Sequence, residues 1–120
     1  DTLVVLGIGG SALGTTAVMR ALRMTHSLQN AEQRSGAPRL FVLDNVDPDG
    51  FADHLELCDP ARTCFVVISK SGTTVETTSQ FLVARQWIEG VVGDRFRHPS
   101  ILTVIPVLPS LPGWAVGSVS

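Results

Sequence analysis

Three short apolar runs constrain this chain more than any other feature. Leu3–Val4–Val5–Leu6, Leu40–Phe41–Val42–Leu43 and Cys64–Phe65–Val66–Val67–Ile68 are each rich in branched or aromatic side chains. Each stops at glycine, acidic or hydroxyl residues, and each is followed by a segment with helical spacing. Continuous apolar runs of four or five residues read as strands buried on both faces. Three strand-then-helix units in succession imply a parallel sheet with right-handed crossovers. The expected fold class is therefore α/β, a three-layer αβα open parallel sheet of Rossmann-like architecture.

The helices follow from spacing and punctuation. "SALGTTAVMRALRM", residues 11–24, places Ala12, Val18, Met19 and Leu22 on an apolar face. A polar loop broken by Gly36 and Pro38 separates it from the second strand. "DPDGFADHLELC" predicts a short helix with Asp47 as N-cap and Pro48 in the first helical position, ended by Asp59–Pro60. A longer helix is expected from about Thr73 to Ile88, with Phe81, Leu82, Ala84 and Ile88 towards the sheet and Gly90 as its stop. Ile101–Ile105 fits a fourth strand, after which Pro106, Pro109 and Pro112 interrupt the pattern. The organisation expected is one binding domain over residues 1–100, followed by this strand and a Pro-rich tail over 101–120.

Composition narrows the classes of function. The 120 residues are 44% hydrophobic and 17% charged, which excludes a disordered chain. Net charge is −2 and the nine basic residues are scattered, so neither a nucleic-acid nor a membrane stripe is present. No apolar run approaches the roughly 18 residues of a membrane span. Cys58 and Cys64 lack CxxC spacing and read as buried reduced thiols of a cytoplasmic protein. The chain enters its first strand directly from Asp1, which reads as a piece of something longer.

In open α/β sheets ligands sit beyond the carboxyl ends of the strands. Two stretches fall there. In "GIGGSALG", Gly7, Gly9 and Gly10 allow a sharp turn and a close approach to backbone amides, and Ser11 opens a helix whose positive end favours an anion. The same stretch satisfies the loose dinucleotide pattern Gly7-x-Gly9-x-x-Ala12. That pattern expects an acidic residue about 20 positions on, whereas Asp44, at the end of the second strand, lies 32 beyond Ala12. A packing turn, a nucleotide site and a small anionic or sugar site all remain open for this loop.

The second stretch is "SKSGTTVET", residues 69–77, which carries five hydroxyl side chains and the only lysine of the chain. A phosphate at a helix start is held by backbone amides, short hydroxyls and sometimes one cation. Ser69, Ser71, Thr73 and Thr74 supply the hydroxyls, and Gly72 lets the backbone curl. No glycine precedes Lys70 at Walker A spacing. Thr73 or Ser71 can equally serve as an N-cap, with Glu76 closing a capping box.

Taken together, "VVLGIGGSALGTTAVMRAL", "LFVLDNVDPDGF" and "CFVVISKSGTTVETTSQF" resemble the N-terminal sugar-phosphate-binding domain of bacterial glucose-6-phosphate isomerases, over roughly residues 3–98. More broadly they are similar to the SIS, or sugar isomerase, domains, which share the SxSGxT theme. The resemblance implies a phosphate held by Ser69, Lys70 (chiefly through its backbone), Ser71 and Thr74, with Gly10 and Ser11 near the sugar hydroxyls. It implies that Glu76 positions a histidine donated by another part of a homodimer. The implied chemistry interconverts glucose 6-phosphate and fructose 6-phosphate through ring opening and a proton shift between C2 and C1, with no metal and no cofactor. The family's catalytic glutamate base, its Gly-Gly-Arg segment, its ring-opening histidine and its late lysine have no counterpart here, so these residues alone are expected to bind without turnover. His26, His54 and His98 read as surface or packing residues. Two other classes stay open: a phosphosugar-sensing regulatory module, and a dinucleotide-binding oxidoreductase domain using the first loop and Asp44.

Overall fold

The computed structural model describes residues 1–23, 28–70, 74–92 and 102–106; of Leu22, Arg23, Val92 and 102–106 only the backbone is described. Four strands and three helices alternate: β1 (Thr2–Leu6), α1 (Gly10–Arg23), β2 (Arg39–Leu43), α2 (Pro48–Glu56), β3 (Thr63–Ser69), α3 (Val75–Val92) and β4 (Leu102–Pro106). A 3-10 turn, Pro60–Arg62, leads into β3. All strands are parallel, in the order β2-β1-β3-β4. The register aligns Leu6 with Leu43 on one side and with Val67 on the other.

One face of the sheet carries the main core. Val4, Leu6, Leu43, Phe65 and Val67 pack against Phe51 and Leu55 of α2 and Ala84 and Ile88 of α3. Phe65, Leu6 and Ile88 are fully buried, and Trp87 meets Phe65 edge-on at 6.1 Å. Burying such side chains stabilises the fold by about 1.5–3 kcal/mol each. Strand alternation points Val5 to the opposite face, which right-handed crossovers assign to α1; Ala12 of that helix is buried outside the main cluster. The three-layer αβα arrangement follows.

The carboxyl half of β1 is buried on both faces, as read, with Val4, Val5 and Leu6 all enclosed, whereas β3 does not follow that pattern. β3 alternates, with Thr63, Phe65, Val67 and Ser69 buried while Cys64, Val66 and Ile68 are half-buried. Among the described residues α1 lies over the second face and α2 and α3 over the first. Cys58 and Cys64 are likewise half-buried and free rather than fully enclosed. Desolvation pushes both thiols above their ordinary range, which keeps them protonated at neutral pH; for Cys58, hydrogen bonding to the Thr63 side chain and the charge of Arg39 oppose the shift.

Helix boundaries also differ in detail. α1 starts at Gly10, one residue ahead of Ser11, and Val18 on it is exposed. Val18 lies six positions beyond Ala12, which turns it away from the buried side of a 3.6-residue helix. α3 runs past Gly90 to Val92, and Leu82 is exposed. Its buried stripe is Thr77, Gln80, Ala84 and Ile88, so two of its inward positions are polar. α2 behaves as read: Asp47 accepts from the Asp49 N–H at 3.2 Å and Pro48 opens the helix. The segment before β2 is more than a polar loop. Asn30 and Gln33 cap one another reciprocally, and the buried Arg34 donates to the carbonyls of Ala37 and Gln29.

Candidate functional site

The strand order places a topological switch between β1 and β3. From β1 the chain moves outward to β2, and from β3 it moves the other way to β4. The loops that follow β1 and β3 therefore diverge, leaving a crevice at the carboxyl edge where ligands of such sheets bind. Gly7–Gly9 stand at the end of β1, one lip, and Ser69 and Lys70 at the end of β3, the other.

The first lip is shaped by its glycines. A Cβ on Gly7 would stand 3.3 Å from the Ile68 carbonyl oxygen of β3, so Gly7 sits close against the neighbouring strand. The Gly7 N–H donates to the Leu43 carbonyl at 3.3 Å, tying this loop to the end of β2. Gly9 has φ 58°, a left-handed conformation that costs other residues energy. From it α1 begins, the N–H groups of Ala12 and Leu13 donating to the Gly9 carbonyl at 3.1 Å. Open space surrounds the Cβ positions of Gly9 and Gly10. Ser11 is half-buried in the first turn.

On the second lip, Ser69 is the last residue of β3, buried, and paired in register with Pro106 of β4. Lys70 is exposed. Ser71, Gly72 and Thr73 lie outside the described residues. Thr74 is half-buried directly before α3, and its carbonyl accepts both the N–H and the hydroxyl of Thr78 at 3.0 Å. Glu76 is exposed in the second helical position. This replaces the expected capping box, which needs Glu76 in the third position after a cap at Thr73. The sheet thus brings Gly10 and Ser11 to the same edge as Ser69, Lys70 and Thr74.

The remaining sequence candidates fall elsewhere. Asp44 is exposed just beyond β2, two strands away from β3. His54 packs on α2, its Nδ1–H donating to the Gly50 carbonyl at 2.6 Å and its ring meeting Phe41 edge-on at 5.1 Å. It is a packing residue, as read from the sequence; His26 and His98 lie outside the described residues. Among the described residues no group of three or more His, Cys, Asp or Glu side chains is arranged to hold a metal ion. None of the described helices is long and apolar enough to cross a membrane.

Sequence reasoning missed Gln80. It is 4% exposed on α3, and its Nε2–H donates to the Asn45 carbonyl at 2.9 Å, bridging α3 to the β2–α2 loop. The available signal was a polar residue one helical turn before Ala84 and two before Ile88, on the stripe that faces the sheet.

The structure defines an open parallel α/β domain whose topological switch point falls between the ends of β1 and β3, the place where sheets of this class take their ligands. The sequence profile of phosphoglucose isomerase matches residues 1–103, and the chain belongs to that family. It is 44% identical over 108 residues to a glucose-6-phosphate isomerase from Carboxydothermus hydrogenoformans, covering 90% of this chain and 23% of that one. A glucose-6-phosphate isomerase from Rubrobacter xylanophilus is 41% identical over 84% of the chain, again with 23% of the relative covered. The chain thus spans less than a quarter of the length of these relatives. Among solved structures, a glucose-6-phosphate isomerase from Chlamydia trachomatis superimposes with a TM-score of 0.64 at 31% identity, covering 90% of this chain and 19% of the other. A hypothetical protein from Thermus thermophilus gives 0.67 at 31% identity, over 87% and 22%.

Proposed function

We propose that these residues form the sugar-phosphate-binding part of a cytoplasmic glucose-6-phosphate isomerase, with residues 1–100 as the binding unit and the tail after β4 outside it. The observation that carries the reading is the convergence of two loops at one switch point. One carries open glycine backbone and Ser11; the other leaves β3 at Ser69 and Lys70 and reaches Thr74 directly before α3, and we assign the phosphate to Ser69, Lys70, Ser71 and Thr74. A dianionic phosphate at the second loop gains the helix's positive end, short hydroxyl donors and nearby backbone amides. The sugar chain then extends towards Gly10 and Ser11, whose surroundings are open enough to admit hydroxyl groups.

Anchoring is the contribution of this part. Binding energy from the phosphate fixes C1 and C2 of the sugar for groups supplied elsewhere in a longer, homodimeric isomerase. The proton shift between C2 and C1 needs a carboxylate base, and Glu76 acts in support by orienting a histidine from outside these residues. The reading as a dinucleotide domain is disfavoured because Asp44 sits at β2, away from the β1–β3 crevice, and because it leaves the hydroxyl loop without a role. A regulatory phosphosugar sensor would use the same binding residues and differ only in lacking turnover.

The test is kinetic. In the full-length protein Thr74→Val and Ser71→Ala should each raise KM for fructose 6-phosphate about tenfold or more, the scale of one lost hydrogen bond to a charged group, with a smaller effect on kcat. Unchanged KM in both variants would remove the phosphate from this loop. Absence of isomerase activity in the wild-type protein, with binding retained, would favour the sensor.

A further inference from the structure

Gln80 joins the two halves of the crevice from below. Its side chain is buried, and the acceptor of its Nε2–H is a main-chain carbonyl 35 residues away in the β2–α2 loop. That loop follows directly from Leu43, whose carbonyl accepts the N–H of Gly7 in the glycine loop. One amide therefore links α3, through the end of β2, to the first lip. α3 in turn carries Thr74 and Glu76 at its start, so a rotation or slide of this helix moves the second lip.

Among the described residues no group pairs with the other end of the same amide, the buried Gln80 Oε1. Rotating the amide by half a turn does not relieve this, because it would set oxygen against the Asn45 carbonyl. An unpaired buried acceptor costs stability, and an apolar side chain of similar length would fill the space without that cost. Asn45 is exposed, so water can satisfy its carbonyl if Gln80 is lost. What glutamine supplies here that an apolar side chain would not is the bond to Asn45.

We infer that Gln80 is a positioning residue for sugar-phosphate binding: its bond to Asn45 holds the start of α3 in register with the glycine loop. The inference rests on the sugar-phosphate reading above. Gln80→Met keeps the length of the side chain and removes both polar ends. In the full-length protein it should raise KM for fructose 6-phosphate about tenfold, the scale of one lost hydrogen bond, while the thermal midpoint stays unchanged or rises. An unchanged KM overturns the inference and leaves the binding reading intact. A KM that rises only together with a lowered midpoint also overturns it, because the residue would then be a packing element. An inactive wild-type protein that does not bind the sugar phosphate removes the reading and the inference together.

A second measurement is independent of whether the variant folds. In the wild-type protein, saturation with fructose 6-phosphate should shift the Gln80 side-chain NH2 resonances and the backbone amides of Asn45 and Val46, which lie away from the phosphate. Resonances that stay in place through saturation of the phosphate loop would overturn the inference.

Discussion

Gly9 and Gly10 are neighbours with different reasons for being glycine. Gly9 has φ 58° and nothing near its Cβ position, so its requirement is conformational. Gly10 opens α1 at a negative φ, and no described residue crowds its Cβ position. Gly9→Ala should therefore destabilise the protein by about 1–2 kcal/mol, the cost of forcing an alanine into the left-handed region. Gly10→Ala should raise stability by about 0.5 kcal/mol through the lower entropy of the unfolded chain, yet weaken fructose 6-phosphate binding by placing a methyl group in the crevice. Denaturant unfolding together with isothermal titration calorimetry separates the two. Tight binding by Gly10→Ala would mean that the sugar does not approach this loop. The sequence showed that the loop needed glycines, but three of them in four residues do not reveal which serves the turn and which serves the ligand. That distinction depends on a dihedral angle.

At the scale of elements, local signals were legible and facing relations were less so. Asp47–Pro48 marked the start of α2 correctly because cap and first turn are written in adjacent residues. The strands were found to within a residue at either end, since β-branched runs leave little choice. Leu82 and Val18 were misplaced because counting apolar side chains assumes that the inward stripe is apolar, and on α3 that stripe includes Thr77 and Gln80. Gly90 did not stop α3, as an exposed glycine costs a helix only about 1 kcal/mol. The cap of α2 offers a coupled test. A Cβ on Gly50 would lie 2.8 Å from Asp47 Oδ2, so an alanine there pushes the cap away. Asp47→Ala should cost about 1 kcal/mol. Gly50→Ala should destabilise the wild type but stabilise the Asp47→Ala variant by up to about 1 kcal/mol, since alanine is the better helix former. Equal effects of Gly50→Ala in both backgrounds, read from denaturant midpoints, would contradict this account of the cap.

For the whole molecule, the decisive arrangement is the crossing from β2 over to β3. It separates the second lip from the first by more than fifty residues of chain, yet sets the two strand ends side by side. The sequence disclosed both loops and their position after strands, and strand alternation implied a parallel sheet. It did not disclose strand order, because order depends on which helix covers which face and not on any local pattern. Once β1 and β3 are neighbours, the end of β1 with its glycine loop and the end of β3 at Ser69 and Lys70 stand side by side, and Asp44 lies beyond β2 on the other side of β1. The Gln80–Asn45 bond belongs to this scale as well, since it acquires meaning only when α3 approaches the loop that follows β2.

The most direct test of the central claim is an amide NMR titration of this chain with fructose 6-phosphate, with NAD as a parallel control. The account predicts shifts centred on Gly9–Ser11 and Ser69–Thr74 with the sugar phosphate, extending to Gln80 and Asn45, and no such shifts with NAD. Shifts with NAD centred on Gly7–Ala12 and Asp44, with the hydroxyl loop silent towards the sugar phosphate, would contradict it and make the glycine loop a dinucleotide site.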